Sequence, residues 1–264
     1  MPNIQVSVIN NSTAVADADV QAAVPDLQTQ VSRDFAPAWG IDATLTFVPT
    51  TGTPNPQTWW LVILDNSDVS GALGYHDVTS EGLPLGKVFA GTDKQYGLSW
   101  TVTASHELLE MLADPEINLT VFAQPTDDSG TLYSYEVCDT CEDDSLGYLI
   151  NATLVSDFVY PAYFETSRTP GSTQFDQQKQ LNAPVPTLLP GGYIGAFDVT
   201  SGTGWHQITA EFGRGRSLAA SRPRVGSRRE RRRTPRDQWI KSQPIPVFRL
   251  MEMTKKYAEL RSLR

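Results

Sequence analysis

The sequence contains only two cysteines, Cys138 and Cys141, and no run of about 18 apolar residues. The absence of a second C-x-x-C pair excludes a four-cysteine zinc site. The absence of a long apolar run excludes a membrane-spanning helix, and the opening residues MPNIQV lack the charged start and the apolar core of a signal peptide. We therefore expect a cytoplasmic protein without a membrane partner.

Basic residues are scarce as well, but only in the first part of the chain. Residues 1–212 contain 5 lysines and arginines against 26 acidic residues, whereas residues 213–264 contain 16 against 4. With 40% hydrophobic residues, the chain is able to bury a real core. These patterns predict an acidic folded domain at 1–212, a basic, disordered segment at 213–244 and a short amphipathic helix at 245–264.

The arginine-rich stretch at 214–236 has two interpretations. Such a run is typical of binding to the phosphates of a nucleic acid, or to another polyanion. It can equally lie against the acidic part of its own chain. Aromatic residues that would stack on bases are missing from this stretch, so both interpretations stay open.

Residues 99–115 have the clearest pattern of the whole chain. Apolar residues follow helical spacing at Val102, Leu108, Leu109, Met111 and Leu112. A proline at the end of the stretch stops the helix. We predict one buried helix of about four turns.

Three ionisable residues lie inside this helix, in the pattern H-E-x-x-E: His106, Glu107 and Glu110. One helical turn separates His106 from Glu110, so an imidazole nitrogen and a carboxylate can converge on one metal ion. In the related H-E-x-x-H pattern, the two histidines hold the metal and the glutamate takes a proton from water. A solvated helix face is the alternative, but the apolar surroundings favour buried groups that need a metal or a partner.

Alternating and apolar stretches before the helix predict several strands. We expect a strand at 4–9, a helix that is capped by Asp17 or Asp19 and ends before Pro37, and strands at 43–48 and 59–64. Pro25 is expected to kink this helix or to mark its true start. The glycine-rich stretches 71–77 and 86–91 predict one or two short strands that border an open surface.

This order of elements resembles the catalytic half-domain of zincin metallopeptidases. Within that superfamily, the chain is most similar to a set of uncharacterised bacterial and phage proteins that carry SHExxExxxDP followed by ExCDPxE. The first motif appears here as SHELLEMLADP at 105–115 and the second as EVCDTCE at 136–142. The resemblance extends from about residue 4 to about residue 233. A phage origin would imply a virion-associated protein.

The resemblance implies that His106 and Glu110 are metal ligands and that Glu107 is the general base. A catalytic zinc site keeps three protein ligands, so a third is expected downstream. Glu136 is the first choice, with Asp139 and Glu142 as alternatives; a solvated acidic turn is the other interpretation. The cofactor is one divalent cation, zinc first, with manganese or iron favoured by the carboxylate that replaces the second histidine.

Five further residues have other assignments. His76 is a candidate catalytic residue that would bind substrate or stabilise an oxyanion; a surface histidine without a role is the alternative. His206 is expected in a late strand with a structural role. We expect Cys138 and Cys141 to be buried or reduced thiols, with a zinc knuckle or a redox pair as alternatives. Asp114 is expected to accept hydrogen bonds where the helix ends.

The remaining pattern predicts two hairpins, at 148–164 and at 189–212, that form a smaller strand-rich C-terminal subdomain. The predicted fold class is therefore α+β, with a zincin-like mixed sheet and an active-site helix. The predicted function is a metal-dependent hydrolase, in particular a metallopeptidase acting on a peptide or protein substrate. A catalytically inactive zincin-like structural protein and a nucleic-acid-binding protein are the alternatives.

Overall fold

The computed structural model describes residues 4–69, 72–79, 81–165, 173–201 and 204–210. The basic segment predicted at 213–244, its polyanion-binding stretch at 214–236 and the helix predicted at 245–264 lie outside these residues. Both sheets and all the helices described below belong to one compact unit.

The first sheet has five strands in the order β2-β1-β3-β5-β4. They are β1 (Ile4–Asn10), β2 (Ala43–Val48), β3 (Trp59–Leu64), β4 (Gly74–Val78) and β5 (Pro84–Phe89). Four strands are parallel, and β4 runs antiparallel to β5 at the edge. The strands predicted at 4–9, 43–48 and 59–64 are confirmed, and the two glycine-rich stretches form β4 and β5.

The first helical segment is longer than the sequence predicts. Helix α1 (Asp17–Thr29) continues through a π-helical stretch (Gln30–Phe35) into α2 (Ala36–Trp39). The predicted aspartate cap is wrong, because Ala16 is the N-cap and makes no side-chain hydrogen bond to the helix. The predicted end before Pro37 is also wrong: proline is tolerated in the first turn of α2, which ends at Gly40 with a left-handed φ of 69°.

Two helices follow the first sheet, α3 (Ala90–Gln95) and α4 (Trp100–Ala113). Every residue of α4 from Val102 to Ala113 is buried, as predicted for a helix that is apolar around most of its circumference. At its end, the two carboxylate oxygens of Asp114 accept hydrogen bonds from the backbone N–H groups of Asn118 and Leu119. The predicted role of Asp114 is therefore confirmed.

The second sheet is antiparallel, in the order β11-β10-β7-β6. Its strands are β6 (Thr120–Thr126), β7 (Ser129–Ser134), β10 (Tyr193–Asp198) and β11 (Trp205–Thr209). The hairpin predicted within 189–212 is confirmed as β10 and β11. The hairpin predicted at 148–164 is shorter than expected: β8 (Tyr148–Ile150) and β9 (Thr153–Val155) pair, and a short helix α5 (Pro161–Phe164) follows.

One hydrophobic core connects the two sheets. It includes residues from the first sheet, from α4 and from the second sheet. The predicted α+β class is confirmed, and the strand-rich second part shares its core with the first sheet. Within the residues that the structure places, no helix is long and apolar enough to cross a membrane.

Candidate metal centre

Helix α4 brings His106, Glu107 and Glu110 into the interior of the domain. Glu110 is 0% exposed, Glu107 4% and His106 8%. Ionisable side chains are seldom buried to this degree unless they are paired or bind a metal. His106 and Glu107 keep a small exposed surface, whereas Glu110 has none.

The outer group consists of His106, Glu110 and Asp139. The Nε2 atom of His106 lies 3.2 Å from Oε2 of Glu110 and 3.2 Å from Oδ1 of Asp139. Ligands bound tetrahedrally at about 2.0–2.1 Å from a zinc ion are separated by about 3.3–3.4 Å. The donor atoms of the outer group therefore have a spacing that fits a small divalent cation.

The inner group consists of His76, Glu110 and Glu136. Their candidate ligand atoms lie within 4.8 Å of one another, and all three residues are buried. The Nδ1 atom of His76 is 3.9 Å from Oε2 of Glu110 and 3.7 Å from Oε2 of Glu107. Glu110 thus belongs to both groups.

The orientation of His76 is fixed by the residue that follows α4. Its Nε2 atom lies 3.2 Å from the backbone carbonyl oxygen of Asp114. A carbonyl oxygen only accepts, so Nε2 carries the hydrogen and donates it. The other ring nitrogen, Nδ1, therefore faces the carboxylates of Glu107 and Glu110.

Asp139 is positioned by a 3₁₀ turn, Asp139–Cys141, and by a loop from much later in the chain. The backbone N–H of Cys138 donates to Oε1 of Glu110 at 3.2 Å, which ties this turn to α4. The backbone N–H of Leu189 donates to the carbonyl oxygen of Thr140. A Cβ atom at Gly192 would lie 2.0 Å from the same oxygen, so this close approach requires glycine.

Glu107 is held against the edge of the first sheet. A Cβ atom at Gly74 in β4 would lie 2.8 Å from Cγ and 2.9 Å from Oε1 of Glu107. The glycine therefore allows β4 to pack directly on this carboxylate. Close backbone approach is the physical reason for a glycine in this edge strand.

The carboxylates change the protonation of His106. Burial alone would lower its pKa, but the carboxylates of Glu110 and Asp139 outweigh this and raise the pKa well above its usual value. The imidazole of the metal-free protein is therefore cationic and lies between two carboxylates. Since metal ligands must be deprotonated, a bound cation would take the place of this proton.

Three basic side chains of the domain are engaged elsewhere. Arg33 pairs with Asp34 at 2.6 Å, and Lys87 pairs with Asp68 at 2.5 Å. Lys94 donates to a backbone carbonyl group. None of these three side chains compensates the carboxylates around α4.

The two thiols are buried and do not form a disulfide. Burial, the largest cause, raises the pKa of both Cys138 and Cys141 well above the usual value, and nearby carboxylates add to the effect. Protonated thiols are poor nucleophiles and poor metal ligands. The prediction of buried thiols is confirmed.

The structure thus brings together all six predicted site residues around α4: His76, His106, Glu107, Glu110, Glu136 and Asp139. Glu136, the first choice for the third ligand, instead joins Glu110 and His76 in the inner group, and Glu142 belongs to neither group.

The two other histidines differ sharply in exposure. His76 is 1% exposed, so the alternative of a surface histidine is wrong. Its ring nitrogens point to protein atoms, which favours a ligand or structural role over contact with substrate. His206 lies in β11, as predicted, with an exposed side chain.

Sequence reasoning missed the link between His76 and Glu110. The sequence indicates this contact only in part, through a histidine in a glycine-rich strand just before the helix that carries the ionisable residues.

Comparisons with known proteins add no further assignment. No protein-family model matches the sequence, and no curated protein or solved structure matches it either. The case for a function therefore depends on the geometry of the residues around α4.

Proposed function

We propose that this protein is a metal-dependent hydrolase of the metallopeptidase type. The observation that carries the proposal is the outer group, in which His106 lies 3.2 Å from a carboxylate oxygen of both Glu110 and Asp139. These three residues would hold one divalent cation. Glu107, the next residue along α4 after His106, lies 3.7 Å from Nδ1 of His76 and would act as the general base.

The order of elements supports the assignment to a zincin-like fold. Strand, helix, strand, strand, edge-strand pair and ionisable helix follow one another as in the half-domain that the sequence resembles. The antiparallel edge strand β4 packs beside α4. This agreement supports the resemblance and, with it, the interpretation of H-E-x-x-E as a metal-binding motif.

The residues of the chain have separate tasks in this mechanism. A divalent cation held by the outer group would supply Lewis acidity, which activates water and polarises a carbonyl group. The Glu107 carboxylate would accept the proton from the attacking water and deliver it to the leaving amine. Its packing against Gly74 limits the positions that the carboxylate can take, as efficient proton transfer requires.

A peptide is the substrate class that the edge strand favours. The first sheet ends at β4, whose outer edge pairs with no other strand in the described ranges. An extended peptide can add to such an edge through backbone hydrogen bonds. A peptide bound in this way would run past Gly74, where Glu107 lies beneath the strand.

The donor set leaves the choice among a few cations. One imidazole and two carboxylates suit zinc, and the second carboxylate shifts the preference toward manganese or iron(II). We therefore propose zinc first and these two ions as alternatives. Metal analysis of the purified protein, with His106→Ala as the comparison, distinguishes among them.

The decisive test of the mechanism is Glu107→Gln. We expect this variant to bind the cation with unchanged stoichiometry and to lose nearly all hydrolysis of a fluorogenic peptide library, because an amide cannot accept the proton. Glu116→Gln is the matched control, since Glu116 is exposed just beyond α4. Undiminished hydrolysis by Glu107→Gln would exclude the proposed base. Cation binding without hydrolysis in the wild type would instead favour the non-catalytic zincin-like alternative.

A further inference from the structure

We propose that the inner group, His76, Glu110 and Glu136, binds a second divalent cation, and that Glu110 bridges the two cations. This inference rests on the proposed function, because the bridge requires a cation in the outer group. The inner ligand set, one imidazole nitrogen and two carboxylates, suits a cation that accepts mixed nitrogen and oxygen ligands, such as manganese(II) or zinc.

The first argument is the orientation of His76. Metal-binding histidines commonly donate their other ring N–H to a backbone carbonyl or a carboxylate, which fixes the tautomer. His76 does this through Nε2 and the carbonyl oxygen of Asp114. Its Nδ1 atom then faces Glu110 at 3.9 Å and Glu107 at 3.7 Å. A cation between these groups would bond to Nδ1 and to the carboxylate.

The second argument is the position of Glu110. Its Oε2 atom lies 3.2 Å from Nε2 of His106 and 3.9 Å from Nδ1 of His76, so one carboxylate faces both imidazoles. Two-metal hydrolases hold their ions about 3.5–4 Å apart. A single carboxylate between two imidazoles is able to span that separation.

The third argument is the balance of charge. Four carboxylates are buried around α4: Glu107, Glu110, Glu136 and Asp139. Each of the two groups sets two of these carboxylates beside an imidazole, so that each offers a mixed ligand set for one divalent cation. Uncompensated buried charge is strongly unfavourable. The inner group is also less exposed than the outer group, so its cation would lie deeper in the domain.

The test is a titration of the metal-free full-length protein with Mn²⁺, followed by calorimetry and by electron paramagnetic resonance. We expect two Mn²⁺ per chain and the spectrum of a spin-coupled pair. Glu136→Gln and His76→Gln should each bind one Mn²⁺, with the affinity of the second site reduced about 100-fold or more and the coupling lost. His206→Ala, a histidine variant on an exposed strand, should behave as the wild type.

His76→Gln and Glu136→Gln remove different ligands and therefore test the second site independently. Circular dichroism before the titration shows whether each variant is folded. One Mn²⁺ in the wild type that is lost in His106→Ala but kept in both of these variants would overturn the second site and leave the proposed function standing. One Mn²⁺ that is kept in His106→Ala but lost in His76→Gln would overturn both. No bound Mn²⁺ or Zn²⁺ in the wild type would also overturn both.

Discussion

Two groups of neighbouring carboxylates are buried in the part of the chain that the structure describes, and they differ in what lies beside them. Around α4, the carboxylates of Glu110 and Asp139 face an imidazole at distances that suit a cation. At the second place, Asp157 and Asp176 are 0% exposed and face each other without an imidazole. Burial and the neighbouring Asp176 raise the pKa of Asp157 to about 8. The aspartate pair therefore favours a bound proton, whereas the cluster around α4 sets imidazole nitrogens beside its carboxylates.

Backbone donors hold the aspartate pair in place. The two carboxylate oxygens of Asp176 accept from the N–H groups of Gln180 and Leu181 at 2.8 and 2.9 Å. Asp157 accepts from the N–H of Phe158 at 2.8 Å. These hydrogen bonds hold the two aspartates within their own loops, and one proton shared between the two carboxylates is sufficient to relieve their repulsion. A buried carboxylate cluster by itself is thus no sign of a metal site; imidazole nitrogens at ligand spacing are what distinguish the two places.

The largest expected effect comes from changing one aspartate to asparagine in each of the two places and comparing the affinity for the cation. Asp139→Asn should weaken binding of Zn²⁺ or Mn²⁺ about 100-fold or more, because it removes a charged ligand. Asp157→Asn should leave the affinity unchanged, since its amide imitates the protonated acid. Calorimetry in competition with a chelator measures both. Equal losses in the two variants would mean that the cation does not bind at the outer group.

A second prediction concerns the stability that the cation contributes. A free cation concentration of 100 times Kd should stabilise the protein by about 2.7 kcal/mol. For a domain of this size, this corresponds to a rise in Tm of about 5–10 °C. The rise should persist in Asp157→Asn and disappear in His106→Ala or with a chelator. A rise of the same size in His106→Ala would place the cation elsewhere.

A third prediction concerns the pH dependence of stability in the metal-free protein. The folded chain holds the proton of Asp157 up to about pH 8, whereas an unfolded aspartate releases it near pH 4. The folded form binds more protons in this window, so the free energy of unfolding falls as the pH rises from about 4 to about 8.

Asp157→Asn should remove this decline. We expect the variant to be more stable than the wild type by about 1–3 kcal/mol at pH 9 and similar to it at pH 5. Urea denaturation in the presence of a chelator measures the difference. Asp128→Asn, at an exposed position, is the control and should follow the wild-type curve. Parallel curves for Asp157→Asn and the wild type would show that the pair holds no proton.

The smallest expected effect is that of the thiols on the metal. Cys141→Ala should leave the number of bound cations unchanged, because the buried thiol stays protonated. The native protein should react slowly with a thiol reagent and rapidly after unfolding. Loss of a cation in this variant would show that the Cys141 thiolate is a ligand, contrary to this prediction.

The sequence was sufficient to predict the elements that surround the candidate metal centre. Helical spacing and a terminal proline predicted α4, and β-branched alternation predicted β1, β2 and β3. The pair His106 and Glu110 followed from helix geometry alone, because both residues lie on one regular element. Local periodicity is enough where a site is built within one helix.

Contacts between elements that are distant in the sequence could not be predicted from local periodicity. Glu136 and Asp139 are three residues apart on an irregular segment, and no periodicity tells which of them faces His106. The pairing of His76 with Glu110 depends on how β4 packs against α4, which the sequence does not express. Strand β6 was missed because it is an exposed edge strand that contains Pro125, and such a strand lacks an apolar alternation.

The approach of Gly192 to Thr140 has a consequence for how the protein is made. The turn that carries Asp139 is held by chain that the ribosome synthesises about fifty residues later. A nascent chain that has released only His106 and Glu110 offers two ligands and no complete outer group. A cation held by the proposed outer group would therefore enter a domain that is already folded, unlike a zinc finger, in which metal binding drives folding. Under the proposed function, metal supply would then govern the activity of finished molecules rather than the yield of folded ones.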